Sequence, residues 1–254
     1  MGKIAVYIKK NKSNETPIIF LHGVYFDHHL WKQYVNAIND RTVISIDMPL
    51  HGHSRENIKY GWDLEDCAQM LVEILNNLQI DKVIAVGHSW GSMSILRAAS
   101  KFPDRFVCIG LCNMPFNETS RKQKAIQYLQ HSMLMFRSFY TKQAAKSLYA
   151  KKSLRENPNL FIHLKRPMGI LSNSQIREID QTVILNPNDS SDLIQSLKVK
   201  ALAINGKEDF VTTSIYLETI IVNGGHVSPL ENPQEVTNLI KNLIKYDSME
   251  TLLV

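Results

Sequence analysis

Disulfide chemistry has little to work with in this chain. Only three cysteines, Cys67, Cys108 and Cys112, occur in 254 residues, each inside an apolar pattern. An odd, scattered set argues against a disulfide scaffold or a thiolate zinc site and for buried free thiols in a reducing compartment. Long apolar runs are missing too, and no stretch is long enough to span a bilayer. The first ten residues, MGKIAVYIKK, carry three lysines where a secretion signal needs an apolar centre, and Val6 stands where a myristoylation signal needs Ser or Thr. A cytoplasmic location is therefore expected, with the sequons at Asn14 and Asn117 as chance matches. Internal repeats and low-complexity segments are absent as well. The composition that remains is that of an ordinary globular protein, long enough for one large core with an elaboration.

What is present concentrates in residues 83–98, VIAVGHSWGSMSILRA, an apolar run that breaks at Gly87-His88-Ser89-Trp90-Gly91 and resumes with helical spacing. The pattern predicts a strand, a tight turn and a helix. A serine on such a turn has a strained backbone, and small residues two before and two after it let strand and helix approach closely. The Ser89 hydroxyl is then pushed out above the sheet edge. The Trp90 N–H opens the helix unpaired, at the positive end of its dipole, suited to a developing oxyanion.

Apolar runs at 4–8, 17–21, 42–46, 83–86, 106–112, 199–204 and 217–222 read as strands. The first two, joined by the polar turn 11–14, are expected to form a hairpin-like start to the sheet. Helical spacing appears at 30–38, at Leu64, Ala68, Leu71, Leu75 and Leu78 behind the N-cap candidate Asp63, and in a closing helix from Val236 to Ile244. Strand and helix in alternation predict an α/β fold, a mostly parallel twisted sheet with helices on both faces. The alternation stops at 113–185, where only helical patterns occur and Pro158 and Pro167 mark breaks. The expected organisation is a core of residues 1–112 and 186–254, with 113–185 inserted as a helical cap over the site.

Ionisable groups fall just past strand ends, where the functional side chains of open α/β sheets collect. A serine hydroxyl needs a base to take its proton and a third group to orient that base. His226, behind Gly224 and Gly225, fits the base. Asp209 fits the orienting acid and is preferred over Glu208 and Glu118. Gly23, ending the 17–21 strand, lets the backbone turn near a ligand, which makes the Val24 N–H the candidate second oxyanion donor. His22 is expected to bond nearby backbone. His51 and His53, together with Asp27-His28-His29, raise metal ligation, but no further acidic or cysteine partner stands at ligand spacing and no metal is expected. Neither is a cofactor, because the three side chains and two backbone donors suffice.

Five ordered motifs resemble the α/β-hydrolase superfamily: Leu21-His22-Gly23, Asp47-Met48-Pro49-Leu50-His51-Gly52-His53-Ser54, Gly87-His88-Ser89-Trp90-Gly91, Gly206-Lys207-Glu208-Asp209, and the run from Gly225-His226 to Asn232-Pro233. The resemblance implies an α/β-hydrolase fold with Ser89 as nucleophile, Asp209 as acid, His226 as base, and Val24 and Trp90 as oxyanion donors. Leu50 and Ser92 stand where many relatives have glycine, which leaves the subfamily open. Relatives resembling haloalkane dehalogenases and epoxide hydrolases carry aspartate at the elbow, whereas this chain has Ser89. The expected chemistry is hydrolysis of a carboxylic ester through an acyl-enzyme. Hydrolysis of a C–C bond or thioester by the same residues stays open, as does a ligand sensor of this fold with little turnover.

Residues 113–185 carry twelve basic side chains against four acidic, while the rest of the chain has seventeen against twenty. Such an asymmetry steers anionic partners, although a solvated lysine-rich surface has the same pattern. Scattered basic residues without an aromatic platform argue against nucleic acid. A helical cap with Arg121, Arg137 and Arg155 resembles the pimeloyl-acyl-carrier-protein methyl ester esterases, which implies an acidic carrier protein as a partner. Met133, Met135, Phe136, Phe139 and Tyr140 suit an apolar acyl pocket, or packing at helical spacing.

Overall fold

Runs of Val, Ile and Phe without polar alternation are stable as strands only where both faces are covered. In the computed structural model, which describes residues 2–56 and 58–251, such runs form the centre of a seven-stranded sheet. Its strands are β1 (Val6–Lys9), β2 (Ile18–Leu21), β3 (Val43–Ile46), β4 (Val83–His88), β5 (Phe106–Cys112), β6 (Lys200–Gly206) and β7 (Thr219–Val222). The order is β1-β3-β2-β4-β5-β6-β7, parallel except where β1 runs antiparallel to β3. Every residue of β2, β3 and β4 is buried.

The hairpin expected between β1 and β2 does not form. Parallel partners, β3 and β4, occupy both sides of β2, so β1 crosses to the outer side of β3. Burial explains the choice: β2 is fully buried, while β1 remains partly exposed along its length, as an edge strand can be.

In chain order the helices are α1 (Lys32–Ala37), α2 (Leu64–Asn77), α3 (Trp90–Lys101), α4 (Arg121–Ser132), α5 (Arg137–Leu148), α6 (Lys151–Glu156), α7 (Asn159–Gly169), α8 (Asn173–Ile179), α9 (Ser191–Gln195), α10 (Ser228–Glu231) and α11 (Pro233–Thr251). A 3₁₀ turn, His28–Trp31, precedes α1. Asp63 starts α2 with a capping box, its carboxylate accepting the Asp66 N–H while Asp66 returns the bond. Ser120 with Gln123 and Ser172 with Gln175 start α4 and α8 in the same way. The three cysteines are free and buried, and burial pushes their thiols up, which keeps them inert.

Among the described residues the chain between β5 and β6 holds helices and no strand. Two details there differ from the sequence pattern. Pro167 lies inside α7 rather than at a break, buried and two residues from the helix end. The stripe Ile126, Leu129, Met133 and Phe136 faces solvent, and α4 buries only His131. Spacing marks a face as apolar, but it does not say which way the face points.

Two buried groups tie the amino-terminal third together. The Asp47 carboxylate accepts from Tyr7 OH (2.8 Å), His28 N–H (2.9 Å), His28 Nδ1 (2.8 Å) and His53 N–H (2.9 Å). Burial alone pushes this carboxyl up, but the His28 hydrogen bond, the neighbouring His22 imidazole and the two backbone donors outweigh it and hold it far below the usual range. His51 donates to Pro49 O (2.9 Å) and accepts the Tyr25 N–H at Nε2 (3.0 Å).

Burial pushes both His51 and His88 down to about 3. An unfolded histidine titrates near 6.5, so as pH falls from about 7 the unfolded chain takes up protons that the folded chain excludes. Stability is therefore fully present above that value and declines toward pH 3, by up to about 1.4 kcal/mol per pH unit per histidine. Urea unfolding between about pH 7 and 5 should show a shallower decline in His51→Gln than in the wild type. Parallel slopes would refute this role for His51.

Candidate active site

Ser89 occupies the turn between β4 and α3 at φ 48°, ψ −112°, a conformation that costs a residue bearing a Cβ. The turn holds because its neighbours leave no room for relaxation. A Cβ at Gly87 would collide with the Ser92 N–H, and one at Gly91 with the Leu21 carbonyl. The Ser89 N–H donates to Cys112 O (2.8 Å), and its carbonyl accepts the Met93 N–H (3.0 Å), which fastens the turn to β5 and α3.

Past the ends of β6 and β7, Asp209 and His226 approach this serine. His226 Nε2 lies 2.8 Å from Ser89 Oγ, and His226 Nδ1 lies 2.8 Å from Asp209 Oδ1. The Asp209 side chain is fully buried, whereas Glu208 and Glu118, the alternatives, are exposed. Burial raises the Asp209 carboxyl, but the His226 charge and hydrogen bonds from His226, Asn113 and the Val211 N–H overcome it and leave the group below its ordinary range.

Val24 lies just past the end of β2 and Trp90 directly after Ser89, and a Cβ added at Gly23 would stand 3.0 Å from the Ser89 Cβ, so the turn after β2 runs close to the serine. Trp90 is the first residue of α3, where N–H groups have no acceptor within the helix. Its ring is fully buried and stacks on Trp62 at 5.2 Å. Val24 lies in a turn closed by the Phe26 N–H on Gly23 O (3.3 Å). His22 bonds backbone on both sides of its ring, donating to Gly23 O (2.7 Å) and accepting the Met48 N–H (2.8 Å).

Residues 16–156 match the family described as the alpha/beta hydrolase fold. The chain belongs to the α/β-hydrolase family. Its fold superposes on the enol-lactonase from Burkholderia xenovorans LB400 with a TM-score of 0.83, over 95% of this chain and 96% of that one, at 16% identity. The thermophilic esterase from Thermogutta terrifontis gives 0.82, over 96% and 93%, at 20% identity. Both are likenesses of fold. In sequence, Esterase YbfF of Escherichia coli is 30% identical over 112 residues, 42% of this chain and 43% of that protein. The chain spans less than half the length of the curated relatives it matches at 26–30% identity.

Within this α/β-hydrolase framework three residues that spacing did not single out touch the site. Asn113 directly follows β5 with φ 51° and donates from Nδ2 to Asp209 Oδ2 (2.8 Å) and Gly225 O (3.1 Å). Its Oδ1 accepts the Ser228 N–H (3.0 Å), so one side chain joins the acid loop, the histidine loop and α10. An asparagine at a strand end, tolerant of the left-handed region, was the available signal. His88 donates from Nε2 to the His226 carbonyl (2.7 Å), and the half-exposed Phe210 stacks on the His226 ring at 4.4 Å.

Other expectations are corrected. Met133, Met135, Phe136 and Phe139 are exposed, Met135 at 84% and Phe136 at 70%, so they line no buried acyl pocket; only Tyr140 of that set turns inward. Arg137 is half-buried and engaged within the helical segment by Asn173 Oδ1, Met168 O and Leu171 O, so its guanidinium is less open to a partner than those of Arg121 and Arg155. Asp27, His28 and His29 do bring ligand-type atoms within 4.8 Å of one another. Their imidazole Nδ1 atoms face carboxylates, His28 toward Asp47 and His29 toward Asp27. Among the described residues no helix is long and apolar enough to cross a membrane.

Replacing Asn113 with alanine strands the buried Ser228 N–H and removes a donor from Asp209. A loss of about 1–3 kcal/mol is expected in urea unfolding. An unchanged midpoint would show that water replaces the amide.

Proposed function

We propose that this chain is a serine hydrolase acting on carboxylic esters. The observation that carries the reading is the unbroken relay of two 2.8 Å contacts, Ser89 Oγ to His226 Nε2 and His226 Nδ1 to Asp209 Oδ1, on the strained turn of an α/β-hydrolase fold. Ser89 Oγ attacks the ester carbonyl as His226 takes its proton at Nε2. Asp209 holds the Nδ1–H tautomer and offsets the imidazolium charge, a role that its lowered pKa favours. The N–H groups of Val24 and Trp90 receive the oxyanion, each such donor contributing about 10²–10³ in rate. His226 then returns its proton to the departing alcohol, leaving an acyl-enzyme. A water activated by His226 attacks that acyl group and regenerates Ser89.

Names of relatives in two comparisons, an esterase in sequence and an esterase in fold, support ester cleavage as the reaction class. Hydrolysis of thioesters or C–C bonds would use the same side chains. A small-molecule ester is the expected substrate, and the reaction calls for no cofactor. Buried free thiols support a cytoplasmic setting. Arg121 and Arg155 remain exposed on the basic segment and keep an acidic carrier protein as a partner within this reading.

Initial rates on p-nitrophenyl esters of increasing acyl length test the proposal. Ser89→Ala and His226→Ala are each expected to lower kcat by about 10⁴-fold or more. Turnover that survives Ser89→Ala would overturn the assignment, and a wild type that binds ligand without turning it over would favour a sensor. Arg121→Glu with Arg155→Glu should slow a carrier-bound ester and spare a small one; equal loss on both would remove the carrier.

A further inference from the structure

The helical segment buries a carboxylate that the proposed reaction does not use. Asp180 is fully buried and opens a π-helical turn, Asp180–Leu185. Its Oδ2 accepts from Gln127 Nε2 (2.8 Å) and Tyr140 OH (3.1 Å) and meets His131 Nε2 at 2.7 Å, all from α4 and α5. Its Oδ1 accepts from the hydroxyl of Tyr25, which also lies 2.9 Å from Tyr140 OH.

Tyr25 comes from a different part of the fold. It follows Val24 in the turn that the Phe26 N–H closes on Gly23 O. At φ 68° it is left-handed, a conformation that costs a residue with a Cβ about 1–2 kcal/mol. Such strain persists only where the surroundings over-determine it. Two anchors do so here: the Tyr25 N–H donates to His51 Nε2 on the sheet side, and its hydroxyl donates to Asp180 on the helical side. Burial raises the pKa of this hydroxyl well above the usual tyrosine value, so it stays protonated as a donor.

We infer that Tyr25 and Asp180 are positioning residues, whose bond holds the strained 23–26 turn in the conformation that aims the Val24 N–H at the oxyanion. The inference rests on the acyl-transfer reading above. Its consequence is a coupling between substrate cover and chemistry. When the helical segment is seated, Asp180 clamps the turn and the oxyanion hole is complete. When the segment lifts, Asp180 leaves with it and the turn is free to relax.

The test compares Tyr25→Phe and Asp180→Asn with Gln127→Met, which removes a bond to the same carboxylate from within the helical segment. In the full chain, kcat and KM on a p-nitrophenyl ester are read beside backbone hydrogen exchange over residues 22–30. Tyr25→Phe and Asp180→Asn should lower kcat by about 10–100-fold, short of the cost of deleting a donor outright, and speed exchange over 22–30. KM should stay within about twofold, and Gln127→Met should leave kcat within the same margin. If Asp180→Asn does not fold, Tyr25→Phe, which removes a single oxygen, carries the comparison. Wild-type kcat and exchange in Tyr25→Phe would overturn the inference, as would an equal fall in Gln127→Met, since stability alone then explains the loss. A wild type that cleaves no ester but shows faster exchange over 22–30 in Tyr25→Phe and Asp180→Asn, and not in Gln127→Met, would sink the ester reading and leave the clamp standing.

Discussion

The contact between β4 and α3 around Ser89 is the constraint on which the rest of the structure depends. The helix lies so close to β4 that Gly87 admits no side chain and so close to β2 that Gly91 admits none, and the backbone of Ser89 absorbs the mismatch at φ 48°. A strained turn of this kind costs of order 1–3 kcal/mol, and only a rigid surround sustains it. The buried centre of the sheet provides that surround: β2 and β5 flank β4, and the Ser89 N–H is fastened to Cys112 of β5. Parallel order then places the ends of β2, β4, β5, β6 and β7 on one edge, where Val24, Ser89, Asn113, Asp209 and His226 gather.

Three of the buried carboxylates, Asp47, Asp209 and Asp180, organise the polar interior around the site, and each solves the same problem. A carboxylate out of water is costly unless its lone pairs are met by donors. Asp47 joins β1 to the turns around His28 and His53; Asp209 joins β6 to His226 and Asn113; Asp180 joins α4 and α5 to the turn after β2. The first is structural, the second faces the proposed chemistry, and the third links the two layers of the molecule. Neutral histidines complete the scheme. His22, His51 and His88 are all depressed by burial and act as fixed donors and acceptors for backbone groups beside the site.

Much of the sheet was legible because β2, β3 and β4 are apolar at nearly every position, Ser45 and His88 excepted, the mark of strands covered on both faces. Pairing was less so: the turn at 11–14 looks like a hairpin, but β2 has its two sides filled by parallel partners. The helical segment was the least legible. Ile126, Leu129, Met133 and Phe136 repeat at the spacing of a buried face and yet point to solvent, while Leu134, Tyr140 and Ala145 turn inward. Where a segment is built of short helices, periodicity alone does not orient it.

Order along the chain was enough to nominate Ser89, Asp209 and His226, because each follows an apolar strand and the turn chemistry around each is local. Local chemistry survives in a string of letters. The roles of Asn113, Phe210, Tyr25 and Asp180 were decided in three dimensions. Asn113 meets Ser228 across 115 positions, and Tyr25 meets Asp180 across 155. The first contact depends on the order of β5, β6 and β7 in the sheet and the second on how the helical segment docks against it, and nothing in the residues beside either partner encodes that geometry.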